Sequence, residues 1–179
     1  MLHIFLIIFI IACTASMFLY SEPLGVSNEH LWYCVCYQYY HVSWLHLLLN
    51  MFAIGYMHPA ICKIWERRFN DTAHTSQKLF IVGYLASVIA GAFCAGNIPT
   101  IGASGIVFFL LGVLLLLNPT LKQLQNYMWI AAAVATQIYF GGTNTSLHIT
   151  CFVFGALYTI VHEFLKQYKS NVNRGIYQY

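Results

Sequence analysis

The chain has 179 residues, 60% of them hydrophobic and 7% charged, with a formal net charge of +3 and a mean hydropathy of +0.67. A soluble domain carries about 25% charged residues, so this composition excludes a soluble enzyme and places the chain in a membrane. The small basic excess is an orientation signal along the chain rather than an invitation to nucleic acid.

Six apolar segments follow in order, at residues 2–20, 41–62, 78–96, 104–117, 124–140 and 147–165. The first has the length of a signal peptide but no basic leader and no A-x-A cleavage site, so it reads as a retained span. The stretch "LWYCVCYQYY" that follows reads as a loop whose Trp32 and tyrosines form an interfacial aromatic belt. The charged run "KIWERRFNDT" separates the second and third segments, and "GNIPTIG" precedes the fourth. That fourth segment, Ser104 to Leu117, covers only about 21 Å at roughly 1.5 Å per residue, against a hydrocarbon core of about 30 Å. Such a helix is expected to begin inside the membrane, with Ser104 at its head between Gly102 and Gly105. The joins "NPTLKQ" and "GGTNT" bound the fifth segment.

Six spans place all of Lys63, Arg67, Arg68, Lys78, Lys122, Lys166, Lys169 and Arg174 on one side. By the positive-inside rule that side is the cytoplasm, and both termini are expected there. The expected organisation is a single all-α membrane domain over 1–179, with a core at about 2–168 and a cytoplasmic tail at 169–179. Its fold class is a six-transmembrane-helix bundle.

Polar side chains inside spans are expensive and mark function. His46 and Asn50 share a face of the second segment, being four residues apart. Ser104 heads the fourth segment, and His148 lies near the start of the sixth. Counting from these residues to Lys63, Lys122 and Lys166 puts all three helices' polar groups about 25–27 Å above the basic anchors. Serine and histidine at one depth suggest a nucleophile and its general base. The five acids, Glu22, Glu29, Glu66, Asp71 and Glu163, lie in loops or at the basic end, so a Ser–His dyad is expected rather than a triad. The free N–H groups at the head of a helix that starts inside the membrane suit an oxyanion. Gly102 and Gly105 permit a tight turn there. Six cysteines show no CxxC and no zinc spacing, and read as small apolar fillers.

At these residues the chain resembles the rhomboid family of intramembrane serine proteases. The G-x-S-G motif stands as Gly102-Ala103-Ser104-Gly105. The motif H-x-x-x-x-H-x-x-x-N stands as His41, His46 and Asn50. The last-span histidine with a glycine seven residues on stands as His148 and Gly155. The resemblance covers about residues 2 to 168. It implies that Ser104 is the nucleophile, His148 the base, and His46 and Asn50 aids to the oxyanion. Phe108 fits the position of an aromatic that stacks on the base, and His41 is expected to support the loop near the site. The resemblance implies membrane-protein substrates cut after a small residue, and it implies neither cofactor nor metal.

The chain also departs from the family pattern. Tyr33 follows Trp32 where arginine is usual, and Leu147 and Cys151 stand around the base in place of the usual alanine and glycine. Cys151 and Gly155 still place small residues on one face, which lets the fourth and sixth segments pack closely. Two other readings compete: a catalytically inactive rhomboid-like protein that binds transmembrane segments as chaperone or adaptor, and a metal-ion transporter using His41, His46 and His58. Positions five apart on a helix diverge by about 140°, which sets His41 and His46 on different faces. His58 and His162 are expected in packing or interfacial roles, as is Glu163. The partners implied are the bilayer and transmembrane segments, with no nucleic acid and the oligomeric state open. The compact plan suits a bacterial inner membrane.

Overall fold

The computed structural model describes residues 4–19, 24–70, 74–97, 99–118 and 144–176. These form five α-helices: α1 (Ile4–Leu19), α2 (Trp44–Phe69), α3 (His74–Phe93), α4 (Ser104–Leu117) and α5 (Thr145–Ile176). Two short 3-10 helices, Leu31–Val35 and Tyr37–Tyr39, lie in the loop between α1 and α2. The expected segment at 124–140 lies outside the described residues.

The helix boundaries follow local chemistry. Ser43 caps α2, its Oγ accepting the His46 N–H at 3.1 Å, and so satisfies one of the unpaired donors of the first turn. Helix α2 does not stop at residue 62 as expected but runs on to Phe69. Asn70, in the left-handed conformation at φ 50°, ends it and donates its N–H to Glu66 O at 2.8 Å. The charged run is therefore largely helical. Helix α5 likewise continues to Ile176, through most of the stretch expected as a tail. Asn144 caps α5, with Oδ1 accepting the Leu147 N–H at 3.0 Å.

Helix α4 is the centre of the bundle and packs against α2, α3 and α5. Most of its residues are buried, Ile106, Leu110 and Val113 among them. The outer helices are apolar on their exposed faces too, with Phe18 75% and Phe93 84% exposed. Apolar contacts inside and apolar surfaces outside are the pattern of helices that face lipid. Helices α2 and α5 are long and apolar enough to cross a membrane, whereas α1, α3 and α4 are shorter apolar helices.

Glycine sets the spacing of α4 and α5. A Cβ on Gly112 would lie 2.2 Å from Phe152 O, and one on Gly155 would lie 2.0 Å from Phe109 O. Only glycine lets the two backbones approach so closely. At the ends of this seam, side chains take over. Asn144 Nδ2 donates to Cys94 O at 2.6 Å and to Thr100 Oγ1 at 3.1 Å, tying α5 to the segment before α4. At the other end Arg68 donates to Leu117 O at 2.8 Å and pairs with Glu163 at 2.6 Å. One guanidinium thus closes the C-terminus of α4 and joins α2 to α5. Glu163, expected as an interfacial residue, is a partner in this clamp.

Candidate active site

Ser104 and His148 meet where α4 and α5 begin. Ser104 Oγ lies 2.8 Å from His148 Nε2, so with the ring proton on Nδ1 the hydroxyl donates to Nε2. Phe108, one turn after the serine, stacks on the imidazole at 4.4 Å between centroids and 10° between planes. The stack fixes the plane of a ring that is itself buried.

The turn into α4 is built to be non-helical. Gly102 has φ +110°, a conformation that a side chain resists. A Cβ there would also strike His46 Cε1 at 2.6 Å and come within 3.6 Å of Asn50 Nδ2. His46 and Asn50 thus border the glycine turn two residues before the serine. Asn50 is buried, and its Nδ2 has no hydrogen-bond partner among the described residues. Ser104 is the first residue of α4, where backbone N–H groups have no intrahelical acceptor.

Backbone that leaves the helical pattern inside a membrane must find partners within the protein. The segment before Ser104 does so at successive positions. Thr100 exchanges two hydrogen bonds of 2.9 Å with Val26, an isolated antiparallel bridge to the loop after α1. The Gly102 N–H donates to Tyr37 O at 3.0 Å, and the Ala103 N–H to His41 Nε2 at 3.4 Å.

His41 corrects an expectation. It precedes α2 rather than belonging to it, so the 140° divergence from His46 does not apply. The two rings meet edge to face with centroids 5.1 Å apart. Among the described residues, however, no three His, Cys, Asp or Glu side chains form a metal-ligand group. His58 is fully buried away from this pair, against the Phe80 ring and 4.0 Å from Cys62 Sγ. Gly105 and Gly155 both lie in the seam between α4 and α5, and Cys151 packs against the Gly105 position at 3.3 Å.

Sequence reading missed several residues here. Asn144 carried a usable signal, an asparagine placed just before a helical run. Ser87, a lone hydroxyl within an apolar helix, carried the signal of polarity inside a span. Tyr37 carried none that separates it from its neighbours, and it is buried rather than part of an interfacial belt, as are Gln38 and Tyr40. Leu31 and Trp32 do face outward.

The fold and the site define an all-α membrane bundle holding a hydrogen-bonded serine and histidine at the heads of two packed helices. Residues 28–163 match the family model of the Rhomboid domain. The chain belongs to the rhomboid family, whose characteristic activity is intramembrane serine proteolysis. No curated protein matches the chain.

Proposed function

We propose that the protein is an intramembrane serine endopeptidase that cleaves transmembrane segments of membrane proteins. The observation that carries this reading is the 2.8 Å contact of Ser104 Oγ with His148 Nε2, at the head of a helix that begins within the bundle. In the proposed reaction Ser104 Oγ attacks the substrate carbonyl carbon while His148 Nε2 takes the hydroxyl proton. The C–N bond breaks as His148 returns that proton to the leaving amine, leaving an acyl-enzyme. Water, deprotonated by His148, then hydrolyses the ester.

The oxyanion is held by backbone N–H at the head of α4 with Asn50 and His46, which border the Gly102 turn. A substrate helix has to unwind to present its carbonyl, so helix-breaking residues near the cut favour cleavage. The family resemblance favours a small residue before the cut.

The proposed topology has six spans, with the fifth at 124–140, and both termini in the cytoplasm of a bacterial inner membrane. The dyad then lies toward the outer face. The support is the collection of all eight basic residues on one side.

Fluorophosphonate labelling of purified protein in detergent tests the chemistry. Wild type is expected to label, and Ser104→Ala and His148→Ala are not. Absence of labelling in folded wild type, beside an active rhomboid that labels, would replace this reading with that of an inactive protein that binds transmembrane segments.

A further inference from the structure

Tyr37 is wholly buried, and its two polar ends lead to the residues on either side of Ser104 in sequence, one to Gly102 and the other through Ser87 to Gly105. Its carbonyl accepts the N–H of Gly102, two residues before the serine, at 3.0 Å. Its hydroxyl lies 2.7 Å from Ser87 Oγ and donates to Ser87 O at 2.9 Å. The ring is seated on α3 by Gly91, where a Cβ would come within 2.8 Å of Tyr37 Cε1.

Ser87 is fully buried as well, and it presses on the residue after the serine. A Cβ on Gly105 would lie 2.3 Å from Ser87 Oγ and 3.3 Å from Cys151 Sγ. The Cys151 thiol and the Ser87 hydroxyl thus both pack against the Gly105 position. Cys151 follows His148 by three residues on α5, so the two share a face. A chain of contacts therefore runs from the outer loop through α3 to the first turn of α4 and to the histidine helix.

We propose that Tyr37 is a positioning residue for Ser104, acting through its carbonyl on the Gly102 turn and through Ser87 on the first turn of α4. The proposal rests on the reading of Ser104 as nucleophile. The turn before Ser104 is non-helical and gains its order from the loop that holds it. Loss of the Tyr37 hydroxyl leaves Ser87 against Gly105 without its buried partner and frees the loop residue that also fixes Gly102. A displacement of the nucleophile by about 1 Å is enough to cost up to about a hundredfold in rate.

The test measures the rate constant and the end point of fluorophosphonate labelling for wild type, Tyr37→Phe, Ser87→Ala and the double variant. Trp32→Leu serves as a control, because Trp32 is in the same loop but 64% exposed. Tyr37→Phe is expected to lower the inactivation rate constant about tenfold at unchanged inhibitor affinity, full end point and unchanged pH profile. Ser87→Ala is expected to match it, and the double variant to fall no further, because both remove one link. Trp32→Leu is expected to label at the wild-type rate. Wild-type rate constants in Tyr37→Phe and Ser87→Ala would overturn the proposal and leave the dyad standing. A reduced end point at an unchanged rate constant would also overturn it, showing a loss of folded protein only. Absence of labelling in wild type would remove the nucleophile itself, and the proposal with it.

Discussion

Gly155→Ala is the sharpest perturbation of the seam that sets the dyad. The added Cβ would lie 2.0 Å from Phe109 O, 2.9 Å from Phe109 C and 3.1 Å from Val113 N. All three are backbone atoms of α4, so no side chain can rotate away. Real Cβ contacts stay above 3.0 Å, which requires the helices to part locally by about 1 Å. Overpacking of this kind costs about 1–3 kcal/mol.

His148 lies seven residues before Gly155, two turns or about 10.5 Å along α5. A separation that reaches that far lengthens the 2.8 Å contact between Ser104 and His148 beyond hydrogen-bonding range. The expected outcome is a fall of about 10²-fold in the labelling rate constant and earlier thermal inactivation in detergent. Gly55→Ala is the matched control. Gly55 lies inside α2, and a Cβ there meets nothing within 4 Å. It is expected to label normally and to gain up to about 1 kcal/mol from helix propensity. Gly155→Ala with wild-type rate and wild-type stability would refute the claim that close helix approach holds the dyad.

Two further outcomes are expected. Under the proposed mechanism, in which its Nδ2 acts on the transition state and not on the bound substrate, Asn50→Ala should lower kcat for a transmembrane substrate by about 10²-fold with little change in KM. An equal loss through KM would place Asn50 in substrate binding instead. Arg68→Gln and Glu163→Gln, measured singly and together by thermal unfolding, should show a coupling of about 0.5–1 kcal/mol. The pair is partly exposed, at 41% and 29%, so solvent screens it. Additive effects would show that Arg68 acts only through its bond to Leu117 O.

Much of this arrangement was legible in the sequence, and for identifiable reasons. Helix α4 begins at Ser104 and ends at Leu117 as expected, because Gly102 and Asn118 punctuate an uninterrupted apolar run. Counting residues to basic anchors put Ser104 and His148 at one level, and the two side chains do meet at the heads of α4 and α5. Helix ends at the basic face were less legible. Polarity marks where a span leaves lipid and not where the helix stops, so α2 ran on to Phe69 and α5 to Ile176. The contacts of Tyr37, Ser87 and Asn144 were illegible in a different way. Each joins residues 50 apart in sequence, and no local period encodes such a pairing.

The positions of these contacts explain why the loops matter to the site as much as the spans. Helix α4 lies too deep in the bundle for solvent to satisfy the segment that leads into it. Its glycines remove the side chains that would otherwise fix its height and rotation. What remains to set Ser104 is the polar fixing at its ends. Arg68 holds the carbonyl end at Leu117. Val26, Tyr37, His41 and Asn144 hold the other end at Thr100, Gly102 and Ala103. The glycine seam supplies closeness, and the ends supply register. A bundle built this way can bring a half-buried serine against a buried histidine on another helix. The Phe108 stack and the fixed turn at Gly102 orient the pair. Buried charge is costly in lipid, so positioning by packing and backbone hydrogen bonds is the cheaper solution for chemistry at this depth.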